Sequence, residues 1–343
     1  MMTVEQVRAR MELVNDYWMA QHPDVGDCAW ERAAYFRGCM AAYEVLGKPA
    51  YLQYAVDWAN ANHWNFHRNE HFDTTNADDL SCGEVYMDLM LNYGIPGTWE
   101  LMKRTMAYHA EDPKNDYWWW VDTMYMALNF YHRIGFWLQD ARLPEKAWRL
   151  FCNTRTERRL YDEEEHLWLR DEDFLPEKAL SPSGKKIFWS RGNGWVFAGL
   201  ARTLSNLPAD YVHAPAYRAV FTDMAGALCR CQCDDGFWRS NLLEPELFPM
   251  PETSGTALIT LGLLTGYRLG LLQEDAYRYA LRGFEALNRE AVEPSGRIGW
   301  VQGVALKPGP VEKSGTNDYA VGTYLLICRE LIMLAQEKGH ETV

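Results

Sequence analysis

The stretch FWSRGNGWVFAGLARTL, residues 188–204, joins a G-N-G chain breaker to the beginning of a long apolar segment. After Arg191, apolar residues recur at three- and four-residue spacing, which predicts a helix with a buried face. Trp189 and Trp195 flank the arginine, so a fixed cation stands between aromatic rings where the helix begins. The stretch therefore predicts a buried helix that carries a polar feature at its N-terminal end.

The same helical spacing recurs along the whole chain, and breakers such as Gly94-Ile95-Pro96-Gly97 separate the segments. We predict helices near residues 3–20, 28–46, 50–63, 79–93, 98–110, 121–137, 143–158, 191–205, 215–233, 254–271, 274–290 and 318–337. No run typical of a strand is visible. The longer connections, 159–190 and 234–253, are rich in charge, proline and aromatic residues, and long ordered loops are commonly functional.

Twelve helices in an unbroken run predict six helical hairpins. Closing the hairpins into a ring gives an all-α fold, an (α/α)6 barrel with a cleft at one end. Since no low-complexity linker divides the chain, we expect one barrel domain over residues 1–343. A two-lobed helical protein is the alternative architecture.

The composition argues against several classes of protein. A net charge of −13 leaves no basic footprint for nucleic acid. The first residues lack the apolar core of a signal peptide, and no stretch is long and apolar enough for a membrane helix. Eight cysteines are too sparse for a disulfide scaffold, which favours a cytoplasmic protein. The 15 Trp and 19 Tyr indicate either a large core or a cleft that stacks sugar rings.

Asp122 stands at the start of an apolar helix in WWWVDTMYMALNF, residues 118–130. An Asp at this position is often an ordinary cap or first-turn residue. Three Trp precede it, however, and burial among aromatic rings raises the pKa of a carboxyl group. A carboxylic acid that is still protonated near neutral pH is suited to general acid catalysis.

Asp78 and Asp79 open another helix, in TTNADDLSCGEVYMDLM, residues 74–90. Capping explains one of the two carboxylates, and the other is then free to face a cleft. The residues alone leave open which of the two faces the cleft.

Arg191 offers a planar, permanently charged fork that matches a carboxylate. The neighbouring glycines, Gly192 and Gly194, permit positive φ angles and a close approach of the backbone to a ligand. With Trp189 and Trp195 as flat apolar faces, the stretch is typical of a site for a carboxylated sugar. The alternative is a tight turn in which Arg191 binds a local Asp or Glu.

Several pieces of the chain, taken together, resemble the unsaturated glucuronyl and rhamnogalacturonyl hydrolases of glycoside hydrolase families 88 and 105, with family 105 the nearer. The pieces follow the family order and cover most of the chain, and RGNGW with PETSGT is the most specific combination. They are WERAAYFRGCMAAYEVLGKPAYL, NADDLSCGEVYMDL, WWWVDTMYMA, HLWLRDE, FWSRGNGWVFAGLARTL, DGFWRSNLLEPELFPMPETSGTALI and YAVGTYLLI.

This resemblance implies an (α/α)6 barrel that removes a 4,5-unsaturated uronic acid from the non-reducing end of oligosaccharides left by polysaccharide lyases. It implies hydration of the C4=C5 double bond, with Asp122 as proton donor and Asp78 as the second active-site Asp, Asp79 being the fallback. The substrate contacts that we expect are Arg191, Trp195, Trp189, Trp120, Trp30, Asp79 and Asn193. No metal or organic cofactor is expected, and the protein is expected to be a monomer or a homodimer.

One departure from the family concerns the aromatic near residue 168. Some relatives carry His-Gly after it, whereas this chain has Leu169, Arg170 and Asp171. The change weakens an assignment to rhamnogalacturonan and pectin degradation. Two other functions stay open: an ordinary glycosidase that uses Asp78 and Asp122 as paired carboxylates, and a helical scaffold that binds a partner protein.

Overall fold

The computed structural model describes residues 2–343, and this part of the chain is predominantly helical. Apolar residues at helical spacing form each of the twelve predicted segments, although the 79–93 segment is divided by a turn at Ser81 and Cys82. The α-helices are α1 Val4–Gln21, α2 Trp30–Leu46, α3 Pro49–Ala61, α4 Ala77–Leu80, α5 Gly83–Met87, α6 Glu100–Glu111, α7 Asn129–Leu138, α8 Arg142–Cys152, α9 Ser190–Asn206, α10 Ala214–Arg230, α11 Thr253–Arg268, α12 Glu274–Ala286 and α13 Asp318–Lys338.

Shorter helical turns extend several of these helices. The wider π-type turns are Asp88–Asn92, Met124–Leu128, Asn153–Glu157 and Leu287–Ala291, and the tighter 3₁₀ turns are Glu172–Phe174 and Pro245–Leu247. A two-stranded antiparallel hairpin, β1 Tyr161–Asp162 and β2 Leu167–Trp168, lies in the first long connection. The expectation that the chain has no strands was therefore wrong at this one place within residues 2–343, because two-residue strands are too short to show a period.

The helices form two concentric layers, since inner and outer helices alternate along the chain. Each inner segment packs on the next, and α13 packs on α2, which closes the ring. The inner segments are α2, α4 with α5, Met124–Leu128 with α7, α9, α11 and α13. The outer helices are α1, α3, α6, α8, α10 and α12. The fold is the predicted (α/α)6 barrel.

Burial distinguishes the two layers. In inner helix α11, every residue from Thr253 to Gly266 is buried, as expected for a helix that is surrounded on all sides. Outer helix α12 buries only one face, formed by alanines, Gly283 and Phe284. The core therefore lies between the layers and along the barrel axis.

Glycines permit the closest contact between helices. A Cβ atom added to Gly38 of α2 would overlap the carbonyl oxygen of Gly322 in α13, and one added to Gly322 would overlap the carbonyl oxygen of Ala34. The seam that closes the ring is thus a backbone-to-backbone contact that no larger residue fits.

Candidate active site

A small cavity of about 110 Å³ opens where the inner helices begin. Trp30 is the first residue of α2, Asp78 is the second of α4, and Arg191 is the second of α9. The N-termini of these inner helices therefore meet at this end of the barrel, where their partial positive charges favour an anion. The lining residues are Trp30, Asp78, Trp120, Asp122, Met126, Arg170, Trp189, Arg191, Val304, Ala305 and Leu306.

Asp122 lies at the cavity floor, just before the Met124–Leu128 turn. Its Oδ2 atom is buried and has no hydrogen-bond partner among residues 2–343. Burial raises the pKa of Asp122, while the positive charges of Arg170 and Arg191 oppose that rise. Asp122 is therefore a largely buried carboxyl group whose Oδ2 atom has no hydrogen bond, as suits a proton donor.

Asp78 faces Asp122 in the same cavity, and it does not cap its own helix. Asn76 is the cap of α4, and its side chain accepts a hydrogen bond from the Asp78 backbone N–H. Burial raises the pKa of Asp78 to about 7, and the nearby carboxyl group of Asp122 adds to the shift. A carboxyl group with this pKa can hold or release a proton near neutral pH.

Asp79 lies outside the cavity, so the structure does not support it as a substrate contact. It is 3% exposed and accepts two hydrogen bonds from Arg68, at 2.9 and 2.7 Å, and one from Thr74 at 2.7 Å. These bonds fix the loop before α4. Of the adjacent pair, Asp78 is the one that reaches the cleft, because successive helix residues point about 100° apart.

Backbone pairing places Arg170 beside Asp122. The Val121 N–H donates to the Arg170 carbonyl at 3.0 Å, and Trp120 pairs with Asp171 in an isolated bridge. The Arg170 Nε atom is then 3.6 Å from Asp122 Oδ2. In the sequence, Arg170 stands out only as a departure from relatives. No local signal links it to the cavity, because a pairing with a distant part of the chain puts it there.

Arg191 lines the cavity, but other parts of the protein already engage its terminal nitrogens. Nη1 donates to the Gln302 carbonyl at 2.6 Å and the Tyr319 hydroxyl at 3.0 Å, and Nη2 donates to the Gly303 carbonyl at 2.9 Å. The Trp189 ring lies 4.3 Å from its guanidinium carbon, and the residue is 1% exposed. Arg191 thus clamps the backbone that leads into Val304, Ala305 and Leu306.

Three tryptophans line the cavity as expected, namely Trp30, Trp120 and Trp189, whereas Trp195 and Asn193 do not. Trp195 is fully buried and packs beneath the site, with its ring 6.0 Å from the Trp30 ring. Asn193 is also fully buried, and its side chain bonds both the N–H and the carbonyl of Trp168. Both residues support the site from behind. Trp195 lies one turn further along α9 on the same face as Arg191, and the helical period turns Asn193 to the opposite side.

The expectation that the glycines after Arg191 adopt positive φ and approach a ligand was wrong. Both lie inside α9, and neither is among the positive-φ glycines of the described residues. A Cβ atom at Gly194 would come 2.7 Å from the Leu258 Cβ atom of α11. Gly194 therefore permits close packing of two inner helices, which is a structural role.

The cavity combines two carboxyl groups whose pKa values are raised, two arginines and three tryptophans. The paired acids can transfer protons, the cations favour an anionic ligand, and the indole rings suit the faces of a sugar. At one end of an (α/α)6 barrel, this set of groups defines a glycoside hydrolase.

Comparison with known families identifies which one. The model of Glycosyl Hydrolase Family 88 matches residues 3–335, and the chain belongs to that family. The unsaturated 3S-rhamnoglycuronyl hydrolase of Formosa agariphila is 30% identical over 93% of this chain and 89% of its own length. The protein is an enzyme, a glycoside hydrolase.

Solved structures share the fold closely. A glycosyl hydrolase family 88 protein from Bacteroides vulgatus has a TM-score of 0.90 at 31% identity, covering 97% of this chain and 99% of the other. A protein described as a polysaccharide lyase also has a TM-score of 0.90, at 32% identity over 97% of this chain and 98% of its own. A family 105 hydrolase from C. acetobutylicum, at 21% identity over 93% of this chain and 98% of its own, has a TM-score of 0.76 and shares the fold.

Proposed function

We propose that this enzyme removes a 4,5-unsaturated uronic acid from the non-reducing end of an oligosaccharide by hydrating the C4=C5 double bond. The observation that carries the proposal is the pairing of Asp78 and Asp122, both with a raised pKa, beside Arg170. Such a site can protonate a carbon next to a carboxylate. The relative from Formosa agariphila is named for an unsaturated uronyl substrate, which supports the same reaction.

The reaction follows from the enol ether in the substrate, since the ring oxygen is attached to C5. Asp122 donates its proton to C4, and the positive charge that develops at C5 is shared with the ring oxygen. Water adds to C5 and loses a proton to Asp78 or to the Asp122 carboxylate, which leaves a hemiketal. The hemiketal opens by cleavage of the bond between C5 and the ring oxygen, which leaves a ketone at C5 and a hemiacetal at C1. The hemiacetal collapses to an aldehyde, and the remaining sugar chain departs from C1 as an alcohol. Overall, one water molecule is consumed per uronate released.

We also propose rhamnose as the linked sugar. The relative from Formosa agariphila and a second one, from Alteromonas sp., are named as unsaturated 3S-rhamnoglycuronyl hydrolases. A third, from Bacillus subtilis, is named as an unsaturated rhamnogalacturonyl hydrolase. Rhamnogalacturonan, and hence pectin, is therefore one parent polymer to test.

Two further proposals concern the chain as a whole. We propose one catalytic domain over the entire chain, which is supported by the contact between α13 and α2 that joins the two ends of the ring. We propose a cytoplasmic location, supported by eight cysteines that are all unpaired. In residues 2–343, no helix is long and apolar enough to span a bilayer.

The test is to mix the purified protein with a panel of lyase-digested uronic acid polysaccharides and to follow the ultraviolet absorbance of the conjugated double bond. We expect a steady loss of absorbance, fastest where the uronate is linked to rhamnose. A gain of absorbance on undigested polymer would instead identify a lyase, which creates this double bond. Release of sugar from saturated glycosides, with no loss of absorbance on the panel, would identify an ordinary glycosidase.

A further inference from the structure

We propose that Arg170, rather than Arg191, receives the carboxylate of the unsaturated uronate and thereby places C4 beside Asp122. This inference rests on the proposed function. It comes from the different use that the protein makes of the two arginines in the cavity.

The hydrogen bonds of Arg191 are already made within the protein. Its Nη1 and Nη2 atoms both donate to backbone carbonyls, those of Gln302 and Gly303. The Trp189 and Tyr319 rings lie 4.3 and 5.0 Å from its guanidinium carbon. Binding a carboxylate through both terminal nitrogens would break the contacts that hold the 302–303 backbone, so Arg191 is already committed to a structural role.

Arg170, in contrast, has an Nε–H group that is not used within the protein. Its Nη1 atom donates to Asp171 at 2.5 Å, whereas Nε has no hydrogen-bond partner in the described chain. The residue is 8% exposed, and its guanidinium carbon lies 5.4 Å from the Trp119 ring. A buried Nε–H without an acceptor is costly, and an anionic oxygen in the cavity would satisfy it.

The net charge at the cavity also fits a substrate with one carboxylate. Arg170 and Arg191 bring two positive charges to the cavity, and Asp171 beside it brings one negative charge. Asp78 and Asp122 carry none when both are protonated. The remaining single positive charge matches a substrate with one carboxylate. Asp171 also caps the Glu172–Phe174 turn, accepting from the Asp173 N–H at 2.8 Å, which fixes its position and hence that of Arg170.

The bonds of the substrate determine which carbon lies beside Asp122. In the substrate the carboxylate is attached to C5, and C5 is bonded to C4, the carbon that takes the proton. Arg170 Nε and Asp122 Oδ2 are 3.6 Å apart, both atoms are buried without a hydrogen-bond partner within residues 2–343, and both residues line the cavity. A carboxylate bound at Arg170 therefore puts C4 next to Asp122. Arg170 serves as a specificity residue that also orients the substrate.

The test compares two substrates, an unsaturated uronyl-rhamnose disaccharide and its methyl ester, on wild type and on R170M, R191M and R149M. R149M is the matched control, since Arg149 lies on outer helix α8 with 60% of its side chain exposed. For R170M we expect kcat/KM to fall about 10- to 100-fold on the acid and by less than about threefold on the ester. R191M should lower kcat/KM by a similar factor on both substrates, and it should lower the melting temperature.

The opposite pattern would overturn the inference: R170M keeps the preference for the acid while R191M loses it. If R170M does not fold, R170K serves instead, because lysine keeps the charge but loses the planar fork. We expect R170K to show an intermediate preference for the acid, and an unchanged preference would count against Arg170. A wild type that consumes neither substrate would overturn the proposed function itself, whereas an active wild type isolates the role of Arg170.

Discussion

At the scale of single residues, the environment of Asp122 combines two opposed effects. Burial favours the protonated acid, and Arg170 and Arg191 favour the carboxylate. When a substrate carboxylate binds at Arg170, the positive charge near Asp122 is neutralised and the protonated acid is favoured further. Substrate binding and readiness to donate a proton are therefore linked at this site.

Replacing Asp122 by Asn should abolish turnover and leave the fold intact. The amide has nearly the same shape but no acidic proton, and general acid catalysis contributes roughly 10²- to 10⁴-fold. The loss of absorbance on the best unsaturated substrate measures kcat, and circular dichroism checks the fold. D210N, on an exposed loop, is the control. Activity of D122N within about threefold of wild type would contradict the assignment.

Asp78 should make stability depend on pH. Its pKa in the folded protein is about 7, well above the ordinary value, so ionisation disfavours the native state. The contribution of Asp78 to stability is present below about pH 4 and is lost as the pH rises through 7. From pH 4 to pH 8, D78N should gain up to about 4 kcal/mol in unfolding free energy relative to wild type.

Denaturant unfolding of wild type, D78N and D210N at several pH values measures this difference. The unfolding free energy of D210N, plotted against pH, should run parallel to that of wild type. A D78N curve that also runs parallel would mean that Asp78 ionises in the folded protein as it does in water.

How far the sequence predicts this site depends on whether a residue's role is local. The place of Asp122 in the cavity is predictable, because three tryptophans stand just before Val121 and Asp122. Asp78 and Asp79 are not separable from sequence, because both lie in the first turn and Asn76 takes the capping role. The place of Arg170 in the cavity is not predictable, since only the pairing of its backbone with Val121 brings it there.

At the scale of elements, glycines determine how closely the inner helices approach. The sequence predicts the helices well, since their apolar period is strong over ten or more residues. It does not predict which glycines make contacts between helices, because a glycine at such a contact looks the same as one in a flexible turn. Gly194, which lies inside α9 against Leu258, is an example.

Replacing Gly322 by Ala should destabilise the protein by about 1–3 kcal/mol, because the new methyl group overlaps the backbone of α2. The matched control is G226A, on the exposed face of outer helix α10, where the nearest atom is 3.7 Å from the added Cβ. G226A should stabilise by about 0.5–1 kcal/mol. Thermal melts of both variants test the seam, and equal melting temperatures would argue against it.

At the scale of the whole molecule, the barrel is polarised. The inner helices begin at the active site and end around a second cavity of about 400 Å³ at the other end. Five arginines line that cavity: Arg37, Arg133, Arg202, Arg268 and Arg329. Arg268 lies in the last turn of α11, where positive charge is favourable, and the other four lie further from the ends of their helices.

Glu84 is the buried centre of this charge cluster. Arg202 donates a hydrogen bond to it, and Arg37 lies 3.6 Å and Arg133 4.0 Å away. Burial acts to raise the pKa of Glu84, but the arginines hold it below its usual value. E84Q should therefore lower the unfolding free energy at pH 7 by about 3–5 kcal/mol, because it leaves buried cations unpaired.

Because Glu84 does not line the small cavity, KM of E84Q should stay near that of wild type at temperatures where it is folded. E177Q is the control: it breaks an exposed pair with Arg159 and should leave the unfolding free energy nearly unchanged. Chemical denaturation measures both variants. Similar costs for the two would mean that the cluster is well hydrated.

The segment that Arg191 clamps, residues 302–303, leads into Val304, Ala305 and Leu306, which form one wall of the small cavity. A cavity walled in this way takes the tip of a chain and leaves the middle outside. Below saturation, the rate then follows the number of unsaturated chain ends rather than the mass of polymer. A lyase that cuts the same weight of polymer into fragments of half the length doubles that number. The rate at which the enzyme releases uronate in a mixture is therefore set by how far the polymer has already been cleaved.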